Sequence, residues 1–160
     1  MNNLDKFDLA ILGALQLDGT LSVADLAEKV GLTTTPCWKR LKRLEDEGYI
    51  DGRVALVNRR QTGLPVTVFV SVRTSQHDEK WLLKFAAGVA ALPEVQEFHR
   101  MSGDVDYLLK VVTTDIEGYD RFYKKLIKVA NLTGVSSAFS MEQIKYTTTL
   151  PLHLVGAGAA

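Results

Sequence analysis

Four basic side chains fall within five consecutive positions, directly after a run of threonines and a proline. The stretch reads TTTPCWKRLKRLEDEG from residue 33 to residue 48, and its cations are Lys39, Arg40, Lys42 and Arg43. Lysine and arginine bind phosphates, and threonine hydroxyls near a helix start can bond phosphates or base edges. This chemistry favours a surface for DNA. The alternative is an ordinary exposed helix whose cations pair with Glu45, Asp46 and Glu47.

Helical phase divides this stretch into two sets of side chains. Cys37, Leu41 and Leu44 are spaced i, i+4, i+7 and are expected to point inward. Arg40 is then expected at the periphery. The remaining side chains are predicted to face double-stranded DNA: Thr34, Thr35, Trp38, Lys39, Lys42 and Arg43.

The residues before this stretch predict a helix-turn-helix. Ser22 and Asp25 have the spacing of a capping box, in which each side chain bonds an amide at a helix start. Gly31 is suited to end that helix in a left-handed turn. With a leading helix in front, the helix-turn-helix is predicted at about residues 23–42. A short strand around Val54 and Leu56 is expected to follow it.

From Val66 the apolar period changes from helical to alternating, and strand, helix and strand then occur twice. This order predicts a ferredoxin-like βαββαβ domain and an α+β fold overall. The predicted boundaries are a winged helix-turn-helix at 1–60, a linker at 61–65, the ferredoxin-like domain at 66–152 and a disordered tail at 153–160.

Composition restricts the possible partners and locations. The 160 residues carry 19 basic and 19 acidic side chains, so any surface for nucleic acid must be local. Cys37 is the single cysteine, which excludes an internal disulfide and suits a reducing compartment. No apolar run reaches about 20 residues, so we expect no membrane partner. These points predict a cytoplasmic, nucleoid-associated protein.

Enzymatic and metal chemistry find no support in the sequence. His77, His99 and His153 are scattered, without a second ligand at metal spacing. Glycine-rich phosphate loops and nucleophile–base pairs are missing. We therefore expect no catalytic residue, no metal and no cofactor other than a small effector.

Three stretches resemble the Lrp/AsnC, or feast/famine, family of transcriptional regulators across residues 4 to about 152. They are LDKFDLAILGALQLDGTLSVADLAEKVGLTTTPCWKRLKRLEDEGYI, MSGDVDYLLKVVTTD and SAFSMEQIKYTTTLPL. The resemblance implies a winged helix-turn-helix and a ligand-sensing domain of the RAM/AsnC type. It also implies a homodimer that assembles to an octamer or higher, with two sheets packed face to face. The first and last stretches are more similar to members that govern single catabolic operons, including cysteine-responsive ones, than to the leucine-responsive branch.

The resemblance also implies an amino-acid effector site near a turn that contains Gly103. The residues placed there are Met101, Ser102, Gly103, Asp104, Asp106 and Tyr107, with Ser137, Phe139 and Ser140 of the closing strand expected nearby. Backbone amides at Gly103 could receive a carboxylate, and Asp104 or Asp106 could hold an ammonium group. The alternative is a simple polar connection between strands. Many members have an aromatic residue where this chain has Val105, which we expect to alter the pocket.

Three functions follow from these observations. The first is a sequence-specific DNA-binding transcriptional regulator whose assembly or DNA binding is modulated by an amino acid. The second is an architectural DNA-wrapping protein without effector control. The third is a small enzyme on the ferredoxin-like half, and the missing catalytic constellation argues against it.

Overall fold

A computed structural model describes residues 4–76 and 78–155 and divides them into two compact units. The helical unit contains the residues up to Leu56 together with those from Lys145 onward. The sheet unit runs from Val57 to Ile144. The described residues include no helix that is both long enough and apolar enough to cross a membrane.

Three helices build the helical unit: α1 (Lys6–Leu17), α2 (Val23–Val30) and α3 (Thr34–Asp46). Their apolar faces meet in one core, whose buried members are Ile11, Leu12, Ala14, Leu26, Ala27, Cys37, Leu41 and Leu44. The inward positions of Cys37, Leu41 and Leu44 are therefore confirmed. The opposite side of α3 is left exposed.

Local capping determines where α1 and α2 begin and end. The Ser22 hydroxyl accepts a hydrogen bond from the Asp25 amide at 3.2 Å, and Gly31 ends α2 with φ +70°. A complete capping box lies one helix earlier, where Asp5 and Asp8 each accept the other's backbone amide. The sequence therefore marked the start of α2, and the same pattern marks the start of α1.

The predicted strand around Val54 and Leu56 is not formed. Both side chains are exposed, at 83% and 66%, and the segment has no regular secondary structure and no strand partner among the described residues. A β-strand requires a second strand to receive its backbone hydrogen bonds. The apolar sequence alone could not supply that partner.

Residues 58–65, which include the linker predicted at 61–65, form a closed turn. The Asn58 side chain accepts hydrogen bonds from the amides of Arg60 and Gln61 at 3.1 and 3.2 Å. The Arg59 guanidinium donates to the Pro65 carbonyl oxygen at 2.6 Å. These contacts lie inside the sheet unit, so the chain enters its first strand from a fixed turn.

The sheet unit contains four strands and two helices, which in chain order are β1 (Val66–Arg73), α4 (Glu79–Ala90), β2 (Val95–Arg100), β3 (Tyr107–Thr113), α5 (Ile116–Val129) and β4 (Gly134–Phe139). The strands form one antiparallel sheet in the order β2-β3-β1-β4. Alternate residues of β1, namely Val68, Val70 and Val72, are fully buried in a core shared with α4 and α5. The predicted α+β class and βαββαβ order are confirmed.

The end of the chain belongs to the helical unit. Gln16 on α1 donates its side-chain amide to the Leu150 carbonyl oxygen at 3.4 Å, and its Oε1 accepts the Leu150 amide at 2.6 Å. Leu152 packs against the helical core and begins a short 3-10 helix, Leu152–Leu154. The ferredoxin-like domain was expected to reach residue 152 and the disordered tail to begin at 153. Of that tail, residues 156–160 lie outside the described residues.

Candidate DNA interface and effector site

The exposed side of α3 presents four of the six predicted DNA-binding side chains without internal partners. Thr34, Thr35 and Lys39 are exposed, and Trp38 is 52% exposed. Among the described residues, none of these four side chains makes a hydrogen bond or an ion pair. They are therefore available to an external ligand.

Lys42 and Arg43 differ from those four because each has a carboxylate partner. The Lys42 ammonium lies 2.7 Å from Asp46, and the Arg43 guanidinium lies 3.1 Å from Glu47. The alternative expectation of pairing along the helix is thus met at these two cations. The Glu45 carboxylate instead pairs with the Arg53 guanidinium, at 2.8 Å.

Arg40 is 30% exposed and lies at the periphery as expected, but it is paired with two carboxylates. Its guanidinium lies 2.7 Å from Asp5 and 2.8 Å from Asp8, and its Cζ lies 5.5 Å from the centre of the Phe7 ring. Arg43 reaches the second Asp8 oxygen at 2.6 Å. Helical phase could not reveal these ion pairs, because it describes one helix and the partners lie on and just before α1.

Asp8 is the buried centre of this ion-pair cluster, with a side-chain exposure of 1%. Burial acts to raise its pKa, but the hydrogen bond from the Asp5 amide and those from Arg40 and Arg43 outweigh burial and hold the pKa below its ordinary value. The carboxylate is therefore ionised at neutral pH. The Asp-x-x-Asp spacing before the first apolar face was the signal that could have revealed it.

The turn before β3 is tied to β1 by backbone and side-chain contacts. The Asp106 carboxylate accepts the Thr74 amide at 2.8 Å, and the Asp106 amide donates to the Val72 carbonyl oxygen at 3.0 Å. Arg73 Nε donates to the Asp104 carbonyl oxygen at 2.8 Å. Asp106 therefore holds the turn in place, whereas the exposed Asp104 carboxylate has no partner among the described residues.

The same turn exposes backbone donors. The amides of residues 102–105 donate no hydrogen bond to any described residue. Gly103 has φ +139°, and a Cβ built there would meet no atom within 4 Å. Met101 and Ser102 are exposed at the start of this open backbone. A run of free amides in a turn is suited to bind an anion such as a carboxylate.

Tyr107 contributes to the core rather than to the open turn. It is buried, and its ring lies 5.1 Å from that of Phe85 and 5.6 Å from that of Phe98, measured between ring centres. The side chain thus anchors the start of β3 beneath the turn.

The predicted site residues around β4 are also partly engaged. The Ser137 hydroxyl is hydrogen-bonded to the Tyr119 hydroxyl, and the Phe139 ring meets Tyr119 edge-on at 5.1 Å. Burial raises the pKa of Tyr119, although the Ser137 hydrogen bond opposes the shift. The Ser140 hydroxyl donates to the Glu142 carbonyl oxygen at 3.3 Å.

Strand register separates the β4 residues from the turn. Tyr107 lies beside Val72, while Ser137 lies beside Val70 on the other edge of β1. With strands about 4.8 Å apart and about 3.4 Å per residue, Ser137 is roughly 12 Å from Tyr107. The expectation that the β4 residues lie close to the turn is therefore wrong within one chain, because β4 runs antiparallel to β1 and leads away from it.

No group of three or more His, Cys, Asp or Glu side chains in residues 4–76 and 78–155 is arranged to hold a metal ion. His77 lies outside the described residues. His99 is exposed, with Nε2 3.4 Å from the Glu97 carboxylate.

Comparison with known families matches both units. Residues 4–51 match a winged helix-turn-helix DNA-binding domain, and residues 67–150 match the Lrp/AsnC ligand binding domain. The chain is 52% identical over 150 residues to the DNA-binding transcriptional activator DecR of Escherichia coli (strain K12). That alignment covers 93% of this chain and 99% of DecR.

Solved structures agree with the sequence matches. An AsnC family transcriptional regulator from Agrobacterium tumefaciens is 56% identical, with a TM-score of 0.92 and coverage of 94% of this chain and 99% of that one. A transcriptional regulator from Neisseria meningitidis, solved as a complex with L-Met, is 34% identical. Its TM-score is 0.90, with coverage of 96% and 99%. All three of these relatives are transcriptional regulators. The chain belongs to the Lrp/AsnC family of transcriptional regulators, with a DNA-binding helix-turn-helix followed by a ligand-binding domain.

Proposed function

We propose that this regulator reads its operator with the exposed side of α3 and responds to an amino acid bound at the turn of residues 101–106. The observation that carries the first part is the set of four side chains, Thr34, Thr35, Trp38 and Lys39, that are exposed and have no partner among the described residues. The opposite face of α3 is apolar and packs into the helical core. A recognition helix needs both properties.

The individual roles follow from chemistry and position. Thr34 and Thr35 lie in the first turn of α3, where hydroxyls can reach base edges or phosphates. Trp38 offers an apolar surface to a sugar or a thymine methyl group. Lys39 supplies a phosphate contact, and Lys42 supplies a second because its exposed pair with Asp46 can exchange.

The effector proposal rests on complementary charges at the turn. An amino acid carries a carboxylate, which the free amides of residues 102–105 can receive, and an ammonium group, which the unpaired Asp104 carboxylate can hold. The relative from Neisseria meningitidis was solved with L-Met, an effector of this chemical class. Cysteine is the first candidate here, because the sequence resembles cysteine-responsive members.

We also propose that the chain acts as a homodimer that assembles to an octamer or higher. Val54 and Leu56 are exposed apolar side chains of one segment, and Phe69 is exposed on the sheet face opposite the helices. Such surfaces are costly in water and favour a second copy. Ser137, Phe139 and Ser140 lie away from the turn of their own chain. They would therefore reach an effector only at the turn of another subunit.

The DNA assignment is tested by gel shift on the upstream region of the protein's own gene, at several salt concentrations. Thr35→Ala with Lys39→Ala should weaken operator binding at least about tenfold and reduce the salt slope by about 0.9 per lost phosphate contact. Lys128→Ala, an exposed cation on α5, is the matched control. Unchanged operator binding in the double variant would remove α3 from the interface.

Calorimetry with the twenty amino acids tests the effector assignment. Asp104→Asn should weaken the binding of whichever amino acid gives heat, whereas the exposed Asp25→Asn on α2 should not. If no amino acid binds and none changes the footprint, the architectural alternative replaces effector control. A cytoplasmic, nucleoid-associated location is part of the same proposal and follows from a DNA partner.

A further inference from the structure

Three of the four cations in the middle of α3, namely Arg40, Lys42 and Arg43, are paired with carboxylates of the same unit. One surface cleft is lined by three cations, Lys39, Arg40 and Arg43, and by three carboxylates, Asp5, Asp8 and Glu47. A helix that appears strongly basic in sequence therefore presents little net charge there. This arrangement is unusual for a surface whose partner is a polyanion.

We propose that Asp8 determines how well this protein distinguishes its operator from other DNA, by withholding Arg40 and Arg43 from the phosphate backbone. The inference rests on the proposed placement of α3 against DNA. Asp8 acts through the two arginines and is a positioning residue.

Geometry makes this restraint firm. The Asp8 carboxylate is 1% exposed, and its Oδ2 accepts the Asp5 amide at 3.0 Å. One oxygen takes Arg40 at 2.8 Å, and the other takes Arg43 at 2.6 Å. The carboxylate is thus held at the start of α1 by a backbone amide as well as by the two arginines, and both arginines are directed toward α1.

The pairs of α3 are not equally exchangeable. Lys42 and Asp46 are both more than half exposed, so water can replace either partner and a phosphate can take the lysine. Removing an arginine from Asp8 would leave a buried carboxylate short of a partner, which is strongly unfavourable. A phosphate therefore competes well for Lys42 and poorly for Arg40 or Arg43.

Withholding charge improves discrimination because the two kinds of binding have different origins. Phosphate contacts supply essentially all binding to random DNA and carry no sequence information. Contacts from Thr34, Thr35 and Trp38 to bases exist only on the operator. A phosphate contact made equally in both complexes would cancel in the ratio of operator to random affinity. Base contacts fix the pose of α3 on the operator, whereas on random DNA the helical unit can shift until a released arginine meets a phosphate. Holding Arg40 and Arg43 on Asp8 therefore lowers random-DNA affinity more than operator affinity and widens the ratio.

The test compares Asp8→Asn with the wild type on operator DNA and on random DNA of equal length, over a range of salt. We expect affinity for random DNA to rise at least threefold at low salt. The salt slope of that binding should steepen by about one for each helical unit bound. The ratio of operator to random affinity should fall. Asp120→Asn, which removes an exposed i,i+4 partner of Lys124 on α5, is the control and should change neither.

Two further variants separate this role from a purely structural one. Adding Arg43→Gln to Asp8→Asn should remove a large part of the gain in random-DNA affinity, and Asp8→Glu should restore discrimination. A purely structural role predicts weaker binding to both DNAs. A folded Asp8→Asn protein with unchanged or weaker random-DNA binding would overturn the proposal.

Glu47→Gln provides the decisive measurement if Asp8→Asn does not fold. Glu47 is exposed and holds the other side of the Arg43 guanidinium at 3.1 Å, so its loss leaves the core untouched. We expect a smaller gain in random-DNA affinity, of the same sign. No gain in that variant would equally overturn the proposal, whereas failure of Lys39→Ala to affect DNA binding would instead remove α3 from the interface.

Discussion

The carboxylate of Asp8 and the guanidinium of Arg43 lie 2.6 Å apart and join the first helix of the helical unit to the helix that faces DNA in our proposal. The contact spans 35 positions of sequence. It uses a cation that sequence analysis had placed on the DNA surface. Stability of the helical unit and its charge toward DNA therefore depend on the same atoms.

This contact should make the helical unit sensitive to acid. The pKa of Asp8 is lowered in the fold, so its ionised form stabilises the unit above the unfolded-state pKa of about 3.9 and that stability is lost as pH falls through the lower folded value. At pH 7, Asp8→Asn should cost about 1.5 to 3 kcal/mol, the range for hydrogen bonds to charged groups. Hydrogen exchange of α1 amides checks this in the wild type and in Asp8→Asn. The stability difference between the two proteins at pH 7 should disappear in acid.

The contact between Gln16 and Leu150 should stabilise the helical unit from the far end of the chain. Gln16→Ala removes both hydrogen bonds to the Leu150 backbone and should lower the free energy of unfolding of this unit by about 1 kcal/mol. Leu152→Ala should act in the same direction, because Leu152 packs on the helical core. Leu154→Ala is the control, since Leu154 is exposed. Equal α1 hydrogen exchange in all three variants would contradict the contact.

Gly103 should be required for effector binding because of its backbone conformation. A Cβ at this position would have free space, yet φ +139° is a region that side-chain-bearing residues rarely adopt. Gly103→Ala should therefore shift the turn, cost on the order of 1 to 3 kcal/mol in the sheet unit, and weaken amino-acid binding at least about tenfold. Gly52→Ala, with open space and no positive φ, is the comparison. Calorimetry that shows equal affinity in Gly103→Ala would exclude the turn as the site.

Local patterns predicted those parts of the molecule that depend on one element at a time. The burial of Cys37, Leu41 and Leu44 follows from spacing within one helix, and the βαββαβ order follows from alternation within each strand. Periodicity reports which face of an element is apolar, and the nearest apolar faces then form the core. This is why the fold was largely predictable.

The remaining features depend on contacts between elements or between chains. The ion pairs of Arg40 were not predicted because its partners, Asp5 and Asp8, lie more than 30 positions away. The separation of Ser137 from the turn depends on the register across β1, which no single strand encodes. The strand around Val54 has the right composition but no partner among the described residues.

Gly88 and Val129 provide a test of packing between α4 and α5. Gly88 lies inside α4, where alanine would normally stabilise a helix by about 1 kcal/mol. A Cβ there would overlap Val129 Cγ1 and lie 3.4 Å from Val129 Cβ and Cγ2. Overpacking of this kind costs typically about 1 to 3 kcal/mol, so Gly88→Ala should destabilise the sheet unit overall.

The sign of that effect should reverse when Val129 is shortened. In a Val129→Ala background the overlapping methyl groups are gone, so Gly88→Ala should be neutral or stabilising as helix propensity alone predicts. Urea unfolding of the four proteins gives the coupling energy directly. Hydrogen exchange in α1 should stay constant throughout, because neither residue belongs to the helical unit. If Gly88→Ala costs the same in both backgrounds, the two helices do not pack at these residues in solution.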